Sequence, residues 1–448
     1  MRKSNNDSDP TAKRSYRRFI VGLTALAIAL ASQAQDYSRL SERTIMGTAR
    51  YVGMGGAMTA IGADPSAVLD NVAGLGLYRR PEAMITFDYV AKSIFMAPQA
   101  SAVFSFRTNQ LDGQGVLYHN FMFGYHRVHC FNATMYPTSG KGHSLGSLFA
   151  TSDANMGIPY TTDRYHLSDS LSLYERGYIN EYSLDWAMNI SNRWYWGIGL
   201  RIQSYLMSSD ADYYEDFKTQ NANLKNYYNR SRTSLMLSGA SCAFATGLIY
   251  RPSSWMRLGF GIESPSVGHL NTSTSGSFYA RTDSLRRGPD APLLSSTSSA
   301  FHLPLRLSAS VAFQIKQYAL LALQYDFRHI SGAYDIHMLK AGVEVVPYPG
   351  LYINAGYVFE SPFKTKTSLP VCEIDPTLDR QDAYYQNPRW QQYISGAVGY
   401  RGTHFVIQAA YQFRMQRFSL YAHQNADPYL MYSDTHRIVL SLAWRGRE

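Results

Sequence analysis

Several groups of residues in this chain have types and spacing that could do chemistry. Gly142-His143-Ser144-Leu145-Gly146 matches the G-x-S-x-G elbow, in which a strained strand-to-helix turn presents a serine hydroxyl for acyl transfer. The residues before it, Tyr136 to Lys141, have loop composition and no strand–helix alternation surrounds them, so the match reads as chance in a Gly- and Ser-rich stretch. Gly53-Met54-Gly55-Gly56 has part of the spacing of a dinucleotide loop, but Met58 stands where the third glycine belongs and no buried parallel strand precedes it. His119, His126, His129 and His143 are close in sequence without a zinc-ligand spacing. Asp210, Asp212, Glu215 and Asp216 lie among tyrosines and read as solvated charge. Cys130, Cys242 and Cys372 are odd in number and far apart, which suits neither a disulfide framework nor a metal site. The expectation is a protein with no catalytic residues, no metal and no cofactor, and not an enzyme.

The elements that would have to position such groups are those of a membrane protein. Of 448 residues only 17% are charged and 14% are aromatic, with 35 tyrosines. An ordinary soluble chain carries about 25% charged residues, and a disordered one is poorer in aromatics. A helical bundle in a bilayer needs several runs of about 20 apolar residues, and only Phe19 to Ala31 is arguable. Arg2, Lys3, Lys13, Arg14, Arg17 and Arg18 precede that run and Ser32-Gln33-Ala34 follows it, so residues 1–34 are expected to be a secretory signal peptide. Its removal takes the basic residues from 42 to 36 and the acidic ones from 33 to 31, leaving a mild excess without a clustered basic face. No nucleic-acid partner is expected.

Beyond residue 178 the dominant period is two. Tyr182, Leu184, Trp186, Met188 and Ile190 alternate with Glu181, Ser183, Asp185, Ala187 and Asn189. After Ser191-Asn192 the chain returns with Trp194, Trp196, Ile198, Leu200 and Ile202 on one face. Leu303, Leu305, Leu307, Ala309, Val311, Phe313 and Ile315 continue the theme as seven apolar positions, all expected on one lipid-facing side. Fourteen such segments can be counted, joined alternately by short turns and by long connections at 129–177, 207–232, 265–301, 361–389 and 415–434. An even count with alternating short and long connections predicts an all-β fold, a closed 14-stranded antiparallel transmembrane β-barrel, in preference to a soluble sandwich. Short turns and both chain ends would then face the periplasm of a bacterial outer membrane, with lipid around the wall.

Between the leader and the first strand, residues 35–81 lack strand alternation and are rich in small residues, as a segment packed inside a barrel would be. This stretch resembles the opening of the FadL/TodX family of outer-membrane transporters for hydrophobic compounds, in particular its Bacteroidetes-like branch. The matching residues are Gly47, Arg50, Gly53, Met54, Gly55, Gly56 and Ala57, then Ala63-Asp64-Pro65-Ser66-Ala67, then Asn71-Val72-Ala73-Gly74-Leu75, where the family usually has proline in place of Val72. The resemblance implies an N-terminal plug (hatch) over 35–81 inside a barrel over 82–448. It also implies passive uptake of small hydrophobic compounds such as long-chain fatty acids. Plug or gate roles would fall to Gly53, Gly55, Gly56, Asp64, Pro65, Ser66, Asn71 and Gly74, with glycines as hinges and Asp64 and Asn71 as polar anchors. Related barrels also serve as components of protein secretion or surface attachment, which stands as the alternative function, with a secretion-system protein as partner.

Overall fold

The structure is a computed structural model that describes residues 40, 43–90, 96–109, 114–135, 138–139, 164–219, 227–281, 286–287, 293–329, 335–361, 364–365, 384–386, 391–421 and 429–447. The expected signal peptide, the Gly142–Gly146 motif with His143, and Cys372 lie outside these residues. The chain forms a closed antiparallel barrel of 14 strands. They are β1 (Glu82–Val90), β2 (Met96–Arg107), β3 (Val116–Met135), β4 (Arg164–Ile190), β5 (Trp194–Thr219) and β6 (Tyr227–Ser253). There follow β7 (Met256–Glu263 and Ser266–Arg281), β8 (Leu293–Leu303 and Arg306–Ile315), β9 (Ala319–His329) and β10 (Asp335–Tyr348). The last four are β11 (Leu351–Glu360), β12 (Gln391–Arg401), β13 (Phe405–Tyr421) and β14 (Tyr429–Arg445). Each pairs with its sequence neighbours, and β14 pairs with β1 from Glu82↔Arg445 to Val90↔Arg437, so the ring has no free edge. Closure of this kind satisfies every wall strand where water cannot.

The burial pattern is inside out. In β4, Glu181, Ser183, Asp185, Ala187 and Asn189 are buried, whereas Tyr182 and Leu184 are 49% and 47% exposed. The same holds around the ring for Phe123, Ile198, Phe260, Leu323, Ile353, Ile394, Ile407 and Leu440, all exposed. An exterior of this composition is stable only against hydrocarbon. Aromatic pairs sit at the short-turn end, with Trp194 stacked on Tyr250 at 4.1 Å and Trp255 on Phe313 at 6.1 Å between ring centres. Such pairs suit the interface between lipid tails and headgroups.

Two expectations about the strands need correction. First, the segments read as long connections are partly strand. β4, β5 and β6 run 27, 26 and 27 residues, against the roughly 10 needed to cross a bilayer, and β4 pairs with β5 out to Arg164↔Thr219. Pairing outlasts the hydrophobic alternation because backbone groups bond equally well in water, where the outer face no longer needs to be apolar. Second, the seven-residue alternation into β8 is broken at Pro304-Leu305. Leu303 and Phe301 are buried inside, and inward positions change from odd to even numbers before Ser308. The neighbouring β7 makes the same odd-to-even change at Ser264-Pro265, from inward Glu263 to inward Ser266. Glu263 pairs with Arg306 and Ser266 with Leu303, so the two slips lie side by side. A one-residue slip turns every later side chain to the other face, and a matched slip in the partner keeps the two strands in step.

Candidate functional site

The N-terminal segment lies within the ring of strands. Its helices are short: α1 (Ala49–Gly53), α2 (Pro65–Asp70), and a 3-10 turn over Val72–Leu77. Thr48 caps α1 by accepting from the Tyr51 amide, Asp64 caps α2 by accepting from the Ser66 amide, and Pro65 fills the first helical position. Asn71 ends α2 and begins the 3-10 turn, its Oδ1 accepting from the Ala73 amide at 3.0 Å. These caps knit the segment together. Thr48 donates to Asp64 Oδ2 at 2.7 Å, the Thr48 amide to Ser66 Oγ at 2.8 Å, and the Tyr51 hydroxyl to Asp70 Oδ2 at 2.6 Å.

Strands from every side of the ring hold this segment by its otherwise unsatisfied backbone groups. Arg437 of β14 donates to the Ile45 carbonyl at 2.7 Å, Arg306 of β8 to Leu69 at 2.6 Å and Arg201 of β5 to Val68 at 3.1 Å. Asn120 of β3 donates to the Leu75 and Tyr78 carbonyls, and Arg257 of β7 to Ile61. In the other sense the Thr59 amide donates to Gln324 and the Ala49 amide to Ser441. Irregular backbone at membrane depth is tolerated where side chains satisfy it in this way.

Two kinds of contact dominate on different sides. Against β10, β11 and β12 the contact is apolar and backbone-close. Met54, Val52, Ala57 and Met58 pack with Met338, Val358, Tyr393 and Ala397. The wall glycines Gly342 and Gly356 leave room for the backbone of Met54 and Gly55, which a side chain would fill. Gly55 turns the chain with φ of +61°, a left-handed conformation that favours glycine. Against β4, β7, β8 and β10 the contact is ionic. Arg43 bridges Glu181 and Glu263 at 2.7 and 2.8 Å, while Asp70 meets Arg306 at 3.2 Å and Lys340 at 3.6 Å. Arg306 also reaches Glu263 at 3.1 Å, Lys340 reaches Asp326 at 2.7 Å, and Arg201 is paired with Asp185. β10 carries both kinds of contact, because beside Met338 and Gly342 its Glu344 pairs with Arg50 through two bonds of 2.7 and 3.1 Å.

The charge states follow from these surroundings. Burial pushes the Asp70 carboxyl up, but Lys340, Arg306 and the Tyr51 hydroxyl outweigh it and leave Asp70 below the usual carboxylate range. Burial pushes Asp64 up, and Thr48 and Arg50 offset this only in part, so Asp64 titrates above the usual range. Burial also opposes the Arg50 charge, but the adjacent Glu344 more than compensates.

Every site residue expected from the sequence is in this segment. Asp64, Ser66 and Asn71 are almost fully buried, and the first two share one hydrogen-bond set with Thr48. Gly53 faces Ala397, Gly55 and Gly56 turn away toward β11 and Tyr51, and Gly74 abuts Gly62 across the segment. They therefore form separate contacts and not one site. Sequence reasoning missed Arg43, Asp70, Glu181, Glu263, Arg306, Lys340 and Glu344. Their signal was present, because each wall member occupies the polar face of an alternating strand, where a charge must point into the lumen.

No family model and no curated protein matches the sequence. Solved structures do. A toluene transporter, TodX of P. putida, superposes with a TM-score of 0.55 at 12% identity, over 90% of this chain and 99% of that one. The CymD monoaromatic hydrocarbon channel gives 0.53 at 12% identity over 91% and 99%, and a Pseudomonas aeruginosa FadL homologue gives 0.52 at 12% over 90% and 98%. With closure, strand number and nearly whole-chain superposition in agreement, the chain has the fold of the FadL/TodX outer-membrane transporters.

Proposed function

We propose that this protein is an outer-membrane channel for passive uptake of small hydrophobic compounds, long-chain fatty acids among them, with residues 35–81 as a displaceable plug. The observation that carries this reading is the pairing of a lipid-compatible exterior with a lumen filled by a separate segment held through side chains. A pore for polar solutes needs an open aqueous lumen, whereas an apolar solute needs successive dry pockets, each returning roughly 25 cal/mol per Å² of apolar area buried. The fold neighbours are described as toluene and monoaromatic hydrocarbon channels and a FadL homologue, which supports the cargo class. In this reading the short turns and both termini face the periplasm. The glycines at 53, 55, 56 and 74 act as hinges, and Asp64, Pro65, Ser66 and Asn71 keep the moving piece intact.

The test is uptake of radiolabelled toluene and of a long-chain fatty acid by cells lacking their own channels, with and without the full chain in the outer membrane. Faster uptake of either supports the reading and ranks the two cargoes. Unchanged uptake of both by a correctly inserted barrel, together with a stoichiometric co-purifying protein, would replace it with the secretion-component alternative.

A further inference from the structure

At the short-turn end, beneath the tip of the N-terminal segment at Gly62-Ala63, the barrel mouth holds a cavity of about 620 Å³ that opens to solvent. A second, of about 330 Å³, shares Arg50, Ala63, Leu77, Arg79 and Arg401 with it, so the two form one chamber around the tip. Its lining is unbalanced in charge. The carboxylates present are Asp64, Glu82 and Glu344, and each is already engaged: with Thr48 and Ser66, with Arg445 at 3.3 Å, and with Arg50. Against them stand Arg79, Arg251, Arg257, Arg401 and Lys316, none of which makes an ion pair among the described residues. Their recorded contacts are neutral. Arg79 donates to Asn192, Arg251 to the Ser254 carbonyl, and Arg257 to Ile61 and Gln314, while Arg401 lies over the Tyr352 ring. The Arg257 Nε and the Tyr78 hydroxyl are buried without a hydrogen-bond partner. Leu77, Leu320 and Tyr195 supply apolar wall beside these groups.

Arg79, Arg401 and Lys316 reach solvent and Arg251 and Arg257 are half-buried, so the chamber is open to water, and a cleft lined by one sign of charge with low-dielectric walls focuses the field and concentrates anions within it. We propose that this chamber is a binding site for an amphiphilic organic oxyanion, its carboxylate or phosphate among Arg257, Arg401, Arg79 and Lys316 and its apolar part against Leu77, Leu320 and Tyr195. Guanidinium forks match both oxyanions, so the anion comes from either a carboxylate solute or a phosphate headgroup. The site stands apart from the uptake reading, since it needs only the chamber and its charges.

Calorimetric titration of the purified full chain in an uncharged detergent, with hexanoate, hexyl phosphate and hexanol as probes, tests this directly. Either anion should bind at least about tenfold tighter than hexanol, and its affinity should fall when salt is raised from about 50 to about 500 mM. The stronger of the two anions identifies the headgroup. Arg257→Gln with Arg401→Gln should weaken anion binding about tenfold or more and leave hexanol unchanged. Should that pair not fold, Arg79→Gln with Lys316→Gln, at the rim of the chamber, must show the same selective loss. Equal binding of hexanol and both anions, or full anion affinity in a folded variant of either pair, overturns the proposal.

Discussion

The two sides of the N-terminal segment are attached to the wall by opposite physics. Toward β11 and β12, and at Gly342 of β10, it is held by apolar packing and glycine-to-backbone approach, around Met54, Gly55, Gly342 and Gly356. Toward β4, β7 and β8 it is held by charges, Arg43 and Asp70 against Glu181, Glu263 and Arg306. Apolar contact is short in range, tolerates small rotations and is insensitive to salt. A buried ion pair is all or nothing, because separating it leaves charges in a medium that cannot solvate them. If the segment is displaceable as proposed, the glycine side would serve as its pivot and the charged side as its latch.

The largest effect should come from breaking the latch on the wall side. Arg306→Met removes a partner from both Asp70 and Glu263 and the donor to the Leu69 carbonyl. Leaving buried charge uncompensated costs about 3–5 kcal/mol. Residues near Asp70 should become open to a thiol reagent through an introduced cysteine such as Val68→Cys, while the barrel keeps its heat-dependent gel mobility. If the thiol introduced by Val68→Cys stays inaccessible in the Arg306→Met background, the latch drops out of the account.

A smaller effect is expected on the pivot side. Gly356→Val places branched carbon where the backbone of Met54 and Gly55 now lies, and overpacking of this kind costs about 1–3 kcal/mol. Because this contact is apolar, the resulting exposure of the segment should not vary with salt, whereas exposure in an Arg43→Gln variant should. Identical salt responses in the two would erase the distinction between the sides. Asn71→Ala comes next, at about 1 kcal/mol for loss of a cap, read as a lower unfolding midpoint.

The smallest effect is that of mild acid, and its sign separates two carboxyls within one segment. Asp70 titrates below its unfolded value, so its contribution is complete above the ordinary carboxylate pKa of about 3.9 and is lost only as pH falls through its lower folded value. Asp64 titrates above its unfolded value, so as pH falls it takes up a proton first in the folded state, which then gains stability. Bringing pH from about 7 to about 5 should therefore leave the latch closed and the segment no more accessible. Opening in that window would show that Asp70 is not the controlling charge.

Much of this molecule was legible in its sequence. Strand number and the lipid-facing side of β4 and β5 followed from period-two alternation, because a bilayer imposes an apolar requirement on one face of every strand. The slips at Pro265 and Pro304 were not legible. Whether Leu303 continues or reverses the alternation depends on the register of the neighbouring strand, which a single run of residues does not contain. The true lengths of β4 to β6 were hidden for a related reason, since outside the membrane the outer face is free to be polar. The N-terminal segment announced itself by its glycines and by Asp64 and Asn71, which it uses for a turn at Gly55, close approach at Gly53 and Gly74, and helix caps at Asp64 and Asn71. Its partners did not, although Glu181, Asp185 and Arg201 stood on polar faces in plain view. A charge on a lumen face shows that it must be satisfied, but its partner lies a distant strand away, 138 residues in the case of Arg43 and Glu181. Local sequence thus determined the elements, their sidedness and the closed wall, because these depend on neighbouring residues and on the solvent each face meets. Only the tertiary structure decided which charges meet and where cations collect without partners, because those follow from the circumference and register of the closed ring.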